Sequence, residues 1–367
     1  MRRRVRARNH PSGEDSGRPK GDNLDGFRAD LEQGLLQWRQ NQGSAVCQEP
    51  YHWVWRGKSV STDLAFPKEH WTDNYWPRIR EDVAARLAGG VLGHDWNNHL
   101  ASSWAACINL YLPFAKQPCD FAVLASFLRE HDFAPGLSRL THCEIEYAAP
   151  DDDPLHPRHL LGEQGGSRGK GQTSPDLALF GNLDDGRPVV VLTESKLTET
   201  SFYDCSAFRG KPEEVKARNL TACASAAAVH EQPDTRCWLR AVHGRRYWHI
   251  FKNKLAVEAL AANRACPAKA SAYQLFRQQA LAEGYADSGR FGLVVSAVAY
   301  DDRNTQLLDS LAAAGISDLP AGWARLFTGK ARFASWTHQE WVGWVRSHSD
   351  NARWDEWLEY VGARYGY

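Results

Sequence analysis

One short stretch of the sequence carries acidic and basic residues at the ends of two apolar segments. Residues 173–199 read TSPDLALFGNLDDGRPVVVLTESKLTE, with Asp176 before the first segment and Glu194 and Lys196 at the end of the second. A spacing of two places Glu194 and Lys196 on one face of a strand. The turn GNLDDGRP reverses the chain, so we expect Asp176 to lie beside Glu194.

Two adjacent carboxylates repel each other unless one is protonated or a cation neutralises them. Mg²⁺ prefers oxygen ligands, so the carboxylates of Asp176 and Glu194 and the backbone carbonyl of Ser195 would suit it. Lys196 would then orient or deprotonate an attacking water and stabilise charge on a phosphate. The alternative is that Asp176 is a turn residue and that Glu194 and Lys196 form an exposed pair. Segments as apolar as LALF and VVVL are typical of central strands, which favours the catalytic interpretation.

Hydrophobic periodicity indicates the elements that position these residues. Predicted helices cover residues 24–40, 74–90, 99–115, 121–133 and 271–286. A serine cap at Ser102 or Ser103 is expected to open the third of them. Predicted strands cover residues 141–147, 176–180, 188–196 and 290–300. A mostly helical tail from 307 to 367 completes the pattern, which is typical of an α/β core with helical flanks.

Pro175-Asp176 followed by Glu194-x-Lys196 resembles the signature of the PD-(D/E)XK nuclease superfamily, and the predicted order of elements resembles its αβββαβ core. HLASSWAACINLYLPF, EIEY, TSPDLALF, ESKLTE and AYQLFRQQALAE are similar to segments of a bacterial group of restriction-endonuclease-like proteins. The resemblance implies that Asp176 and Glu194 are metal ligands and that Lys196 is the catalytic lysine. Trp104 departs from it, because a glutamine is expected after the paired serines.

The resemblance also implies an additional acidic residue on the upstream strand. Glu144 and Glu146 are expected to share one face of that strand, and we assign Glu146 to the catalytic set. The predicted fold is α/β, with a restriction-endonuclease-like αβββαβ core, helical N- and C-terminal additions and a Cys-containing insertion. The expected divisions are a disordered basic arm (1–22), a helical region (23–98), the nuclease core (99–300) with its insertion at 200–270, and a mostly helical tail (301–367).

Four of the eight cysteines fall within the weakly periodic insertion. A segment with little apolar surface of its own is typically held together by a metal, and both Zn²⁺ and a [4Fe–4S] cluster use four thiolates. The alternative is that these thiols are buried and unligated. The candidate ligands are Cys205, Cys223, Cys237 and Cys266.

Contacts with DNA would have to come from local patches, because 44 basic residues balance 44 acidic ones. Arg168 and Lys170 lie in a long glycine-rich loop before Asp176, together with Arg158 and His159. A second basic stretch contains Arg240, Arg245, Arg246 and Lys252. Gln274 and Arg277 on the helix at 271–286 are expected to face the site or the DNA. Flexible or packed side chains are the alternative at each of these places.

These observations predict a cytoplasmic, Mg²⁺-dependent DNA endonuclease, with Mn²⁺ as a substitute metal. The alternatives are an iron–sulfur exonuclease acting on DNA ends and a catalytically inactive nucleic-acid-binding module. We expect no membrane association, because no segment approaches the length of a membrane span. A homodimer is expected if both strands are cut, since two-fold symmetry would place one site on each strand.

Overall fold

The structure is a computed structural model. It describes residues 26–91, 96–115, 120–207, 212–262, 265–348 and 351–367. The predicted basic arm at 1–22 therefore lies outside the described residues. Within those ranges, none of the helices combines the length and apolar character that crossing a membrane requires.

A five-stranded mixed sheet forms the centre of the protein, and a separate two-stranded hairpin precedes it. The hairpin consists of β1 (Tyr51–Trp55) and β2 (Lys58–Thr62). The strands of the large sheet are β3 (Leu137–Ile145), β4 (Leu177–Leu183), β5 (Pro188–Lys196), β6 (Leu293–Tyr300) and β7 (Arg332–Thr337). They lie in sequence order. The pairs β3–β4 and β4–β5 are antiparallel, and β5–β6 and β6–β7 are parallel.

The helices surround this sheet. Their bounds are α1 Gly26–Asn41, α2 Arg80–Ala88, α3 Ser103–Tyr111, α4 Phe121–Glu130, α5 Pro157–Leu160, α6 Glu213–Ala222, α7 Ala226–Glu231, α8 Pro233–Arg236, α9 Trp238–His243, α10 Tyr247–Ile250, α11 Val257–Ala262, α12 Tyr273–Asp287, α13 Thr305–Asp309, α14 Leu319–Ala324, α15 His338–His348 and α16 Asn351–Tyr365. Short 3₁₀ turns occupy Gly43–Ala45, Lys68–Asn74, Pro77–Ile79, Leu112–Ala115 and Ser310–Ala314.

Strand β5 separates two hydrophobic cores, because its successive side chains point to opposite faces of the sheet. Val189 and Val191 pack into the first core, which also contains residues of α1 to α4, α15 and α16. Val190 and Leu192 pack into the second core, together with the insertion and α12. A central strand buried on both faces reads as a continuous apolar run, which is why the sequence predicts its bounds of 188–196 correctly.

The predicted α/β fold with helical additions is confirmed, and three details differ. Strand β7 lies in the tail that was predicted to be mostly helical, and the β1–β2 hairpin was not predicted. Strand β3 ends at Ile145, and Glu146 has a φ of 47°. The expectation that Glu144 and Glu146 share one face of a strand is therefore wrong, because the left-handed backbone at Glu146 breaks the alternation.

The insertion also differs from expectation. It was predicted to have little apolar surface, but Val229, Leu239, Trp248 and Phe251 are buried in the second core. Its short helices α7 to α11 explain the weak periodicity, since helices of four to six residues in length do not show a full amphipathic repeat.

Candidate active site

The β4–β5 hairpin brings the three predicted residues together. The backbone N–H of Ser195 donates to Oδ2 of Asp176 at 2.7 Å, and Nζ of Lys196 donates to Oε1 of Glu194 at 2.8 Å. Asp176 is 7%, Glu194 8% and Lys196 2% exposed. The alternative of a turn residue beside an exposed pair is therefore excluded. The sheet instead holds two carboxylates and an ammonium group in its buried interior.

Glu199 is a member of this site that the sequence analysis missed. Its Oε1 lies 3.7 Å from Nζ of Lys196 and accepts a hydrogen bond from the hydroxyl of Ser103. Its Oε2 accepts from the N–H of Leu197 at 3.0 Å. Lys196 thus lies between two glutamates, and Ser103 joins α3 to the site. The signal in the sequence was a second acid three residues after the lysine in ESKLTE.

The charges of Lys196 and Glu199 support each other. Burial works against a charged ammonium, but Glu194 and Glu199 favour it more strongly, so the pKa of Lys196 is raised above its ordinary value. Burial also works against a charged carboxyl at Glu199. Lys196 and the Ser103 hydroxyl outweigh it, and the pKa of Glu199 is lowered. Both pKa shifts therefore favour the charged forms, an ammonium at Lys196 and a carboxylate at Glu199.

Gln274 and Arg277 extend the site onto α12. Nε2 of Gln274 donates to Oε1 of Glu194 at 2.8 Å, so both hydrogen bonds to Glu194 fall on one oxygen. No group in the described part of the chain donates to the other oxygen, Oε2. The guanidinium of Arg277 lies over the ring of Tyr273, 5.2 Å from its centroid. Burial disfavours its charge, but Tyr273, Glu163 and Glu194 among its neighbours leave the pKa of Arg277 raised.

The fold places Glu146 next to Asp176. Glu146 is 2% exposed, and its N–H donates to the carbonyl of Asp176 at 3.1 Å. The thiol of Cys107 on α3 interacts electrostatically with Asp176, Glu146 and Glu194, so all three carboxylates act on the same buried side chain. Glu144, by contrast, forms an ion pair with Arg168. The assignment of Glu146 to the catalytic set stays a prediction.

The predicted DNA-binding residues of the long loop have different surroundings. Nη2 of Arg168 donates to Oε2 of Glu144 at 2.8 Å, and its Nε donates to the carbonyl of Glu146 at 3.1 Å. The hydrogen bonds of Arg168 therefore hold the loop against the end of β3. Lys170 is exposed and lies in a tight turn that its backbone closes with Ser167. DNA binding by either residue stays a prediction.

Glu163 in the same loop is buried and was not predicted. Its Oε1 accepts hydrogen bonds from the hydroxyl of Thr173 at 2.7 Å and from that of Tyr247 at 2.6 Å. These bonds connect the loop before Asp176 with the insertion. The signal in the sequence was weak, because a single glutamate in a glycine-rich loop usually faces solvent.

Helix α3 begins as predicted. The hydroxyl of Ser102 caps it by accepting from the N–H of Ala105 at 3.3 Å. Trp104, where the resemblance leads one to expect glutamine, is 1% exposed and packs edge-on against Tyr75, with ring centroids 6.1 Å apart. The contact of α3 with the site is made instead by Ser103.

The four cysteines of the insertion all lie in the second core. Each is at most 9% exposed, and each is a free thiol. They are Cys205, Cys223, Cys237 and Cys266.

The donors at the hairpin fit a small divalent cation. The carboxylates of Glu194, Glu199 and Asp176 act on the ammonium of Lys196, and Glu146 lies beside Asp176, so the acidic side chains outnumber this ammonium in a buried place. Within the described ranges no group of three or more His, Cys, Asp or Glu side chains is spaced to hold an ion. A cation here would therefore use two carboxylates completed by the Ser195 carbonyl and by water.

Comparison with known proteins gives one match. The family described as restriction endonuclease associating with ARP (REase-ARP) matches residues 37–366, which include every element from β1 to α16 and all the site residues above. No curated protein and no solved structure matches the chain. Because the match extends over most of the sequence, the chain belongs to this restriction-endonuclease family.

Proposed function

We propose that the protein is a metal-dependent DNA endonuclease of the PD-(D/E)XK type, which hydrolyses phosphodiester bonds with a Mg²⁺-activated water. The observation that carries this proposal is the buried hairpin itself, in which Asp176, Glu194 and Lys196 converge on the central strands. Charged groups gathered inside a protein are costly, and a site of this kind is typically retained for its chemistry.

The topology supports the proposal. Helix α3 precedes three antiparallel strands, β3 to β5, and α12 then leads to β6, which is parallel to β5. This order is αβββαβ, as in the core of the PD-(D/E)XK superfamily. Helix α3 packs on β5 and α12 on β6, so both helices lie next to the strands that carry the site.

Asp176, Glu194 and the Ser195 carbonyl would hold the Mg²⁺ ion, with Glu146 beside them. When bound, Mg²⁺ lowers the pKa of a water and neutralises charge on the phosphate. In the reaction the water oxygen forms a bond to phosphorus and the bond from phosphorus to the leaving oxygen breaks. The water gives its proton to solvent, and the leaving oxygen takes one up.

The protein's own groups prepare this displacement. Lys196 remains a cation between Glu194 and Glu199, so we assign it to orienting the water and to stabilising negative charge on the phosphate. Glu199 is a positioning residue, because it acts through Lys196. Gln274 donates a hydrogen bond to Oε1 of Glu194 and so fixes the direction of that carboxylate.

We infer that the DNA backbone follows a basic cavity. A volume of about 410 Å³ is lined by parts of the long loop and of the insertion: Arg158, His159, Gly162, Gln164, His243, Gly244 and Arg246. Both basic stretches of the sequence thus contribute to one surface. Nη1 of Arg246 donates to the carbonyl of His159 at 3.0 Å, which ties the two stretches together. Phosphate groups are the ligands that such clusters of arginine and histidine favour.

The test is cleavage of supercoiled and linear DNA in Mg²⁺, Mn²⁺ and EDTA. The wild type is compared with Lys196→Met and with the matched control Lys216→Met. Lys216 also pairs with a glutamate, but on the exposed surface of the insertion. We expect metal-dependent cutting by the wild type and the control, and a loss of at least about 100-fold in Lys196→Met. Undiminished cutting by Lys196→Met would contradict the proposal.

The products distinguish the remaining possibilities. Nicked and linear plasmid indicates an endonuclease, whereas degradation of linear DNA alone indicates an exonuclease. DNA binding without cleavage in any metal indicates an inactive binding module. We further propose that the protein acts in the cytoplasm, where the seven free cysteines of the described residues would stay reduced. We also propose that a homodimer makes double-strand cuts.

A further inference from the structure

The β1–β2 hairpin presents an aromatic side chain at an exposed tip. Its turn consists of Arg56 and Gly57, whose φ angles are 48° and 77°. Two consecutive positive φ values are typical of a type I′ turn, whose twist matches that of the flanking strands. Trp55 and Lys58 pair directly across this turn, so the tip has a defined shape.

One face of the β1–β2 hairpin carries a row of three aromatic rings. Tyr51, Trp53 and Trp55 alternate along β1, so their side chains share a face. The rings of Tyr51 and Trp53 are stacked, with centroids 5.5 Å apart, and Trp96 packs edge-on against both. Trp55 continues the row and is 51% exposed. Packing within the protein thus accounts for the first two rings and leaves the ring at the tip half open to solvent.

The exposed ring has cations beside it. The guanidinium of Arg56 lies 5.5 Å from the centroid of the Trp55 ring, and Lys58 is the cross-strand partner of Trp55. Both basic side chains are exposed, and residues 51–62 contain no acidic residue. An exposed indole beside two cations is complementary to a ligand that has flat rings and a negatively charged backbone.

The base of the β1–β2 hairpin is attached to the segment that leads into α3. The N–H of Leu100 donates to the carbonyl of Leu64 at 2.7 Å, two residues after the end of β2. Ser103, the first residue of α3, donates to Glu199 of the candidate site. The β1–β2 hairpin is therefore anchored next to the helix that contacts the site.

We propose that the β1–β2 hairpin binds a single-stranded segment of DNA, with one base stacked on Trp55 and with phosphates on Arg56 and Lys58. This inference rests on the proposed function, in which DNA is the substrate. Stacking on an exposed ring suits a single strand, because its bases present free flat faces, whereas the bases of a duplex are already stacked on each other. A second copy of the chain fits less well, since a two-fold contact at the tip would set the same cations against each other.

Binding of fluorescent oligonucleotides in EDTA and in Ca²⁺ tests this inference by affinity alone. The variants are Trp55→Ala, the conservative Trp55→Phe and the control Val54→Ala, which removes a 73% exposed apolar side chain from the other face of β1. We expect the affinity for a single strand to fall at least about fivefold in Trp55→Ala, to fall less in Trp55→Phe and to stay within about twofold in the control. The affinity for the matching blunt-ended duplex should change by less than about twofold in all three.

The salt dependence of binding separates phosphate contacts from stacking. Each phosphate contact on a single strand contributes about 0.7 to the slope of log Kd against log salt concentration. Arg56→Gln and Lys58→Gln should each reduce the slope by about this amount, whereas Trp55→Ala should leave it unchanged. A general loss of structure at the tip would not produce this difference.

A cross-linking measurement uses the wild type alone. Ultraviolet light should join a single strand that contains 5-bromodeoxyuridine to the tryptic peptide that ends at Arg56. Equal binding of single strands by wild type and Trp55→Ala, or a cross-link confined to other peptides, would overturn the proposal. An equally large loss of duplex affinity would overturn the assignment to single strands. A dimer that Trp55→Ala dissociates without loss of DNA binding would assign the tip to a second copy of the chain.

These results are distinguishable from those of the cleavage assay. If the wild type binds single strands through Trp55 but cuts no DNA with any metal, this inference stands and the proposed endonuclease activity is wrong. If the wild type cuts DNA but binds it equally well without Trp55, the reverse holds. Wild type that binds no single strand in either condition overturns this inference, whether or not it cuts a duplex.

Discussion

Replacing Lys196 with methionine is expected to destabilise the metal-free protein by about 3–5 kcal/mol. Nζ of Lys196 lies 2.8 Å from Glu194 and 3.7 Å from Glu199, and the side chains of Lys196 and Glu194 are 3% and 11% exposed. Methionine preserves the length of the side chain but leaves both carboxylates without the ammonium. Their charges are then poorly compensated by protein and poorly reached by water.

The expected change in melting temperature follows from the size of the chain. An unfolding entropy of roughly 2.1 cal/mol/K per residue gives about 0.8 kcal/mol/K for 367 residues. A loss of about 4 kcal/mol therefore lowers the melting temperature by about 5 °C. Lys216→Met is the control, because Nζ of Lys216 is 2.6 Å from Glu213 but that glutamate is 85% exposed. Its cost should be at most about 1 kcal/mol.

Mg²⁺ should reverse part of this loss, because the ion replaces the missing positive charge. A ligand at 100 times its dissociation constant stabilises the folded state by about 2.7 kcal/mol. The assay is thermal unfolding followed by circular dichroism, in EDTA and at increasing Mg²⁺. The stabilisation by Mg²⁺ should be larger in Lys196→Met than in wild type and should disappear in Asp176→Asn.

Two results would refute this reasoning. If Lys196→Met and Lys216→Met melt at the same temperature in EDTA, the ion pair at the hairpin is not the buried interaction that the geometry indicates. If Mg²⁺ stabilises Asp176→Asn as much as wild type, the ion binds elsewhere.

Two further predictions concern the surroundings of the site. Burial lowers the pKa of His338 to about 4, so the unfolded chain takes up a proton at higher pH than the folded one. We therefore expect the free energy of unfolding to fall by about 2 kcal/mol from pH 7 to pH 5, as measured by urea unfolding. His338→Gln should remove this part of the pH dependence, and an unchanged slope would contradict the assignment. Gly162→Ala should destabilise the protein and weaken DNA binding, because φ is +70° and the new Cβ would lie 2.4 Å from the carbonyl oxygen of Gly244. Gly186 has a similar φ of +83°, but a Cβ added there would meet no neighbouring atom. Comparing Gly186→Ala with Gly162→Ala in unfolding and DNA-binding assays therefore separates the cost of the positive φ from the cost of the steric clash.

Several elements could be predicted because their signal is local. The apolar run 188–196 defines β5, since a strand buried on both faces needs apolar residues at nearly every position. Strand β7 has the pattern RFASWT and a half-buried surface, and it lies in a tail rich in tryptophan at helical spacings. Its pairing with β6 is a non-local contact, so the pattern alone did not distinguish it from the neighbouring helices.

The residues of the candidate site likewise fall into those that local sequence predicts and those that depend on tertiary contacts. Asp176, Glu194 and Lys196 could be found because a hairpin and a spacing of two place them together through short-range geometry. Glu199 and Ser103 could not, because their contact joins residues 96 positions apart. The role of Gln274 was predicted in general terms, but its bond to Glu194 depends on how α12 packs against the sheet.

The sequence by itself determined the strands of the hairpin, the acid and base types they carry, and the α/β order of the core, because each follows from side-chain periodicity. Tertiary structure decided which polar groups are buried together. It pairs Arg168 with Glu144, sets Glu146 at a left-handed backbone position, and brings four distant thiols into one core. The physical reason is that burial and electrostatic partners are properties of packed surfaces, which no local pattern of residues encodes.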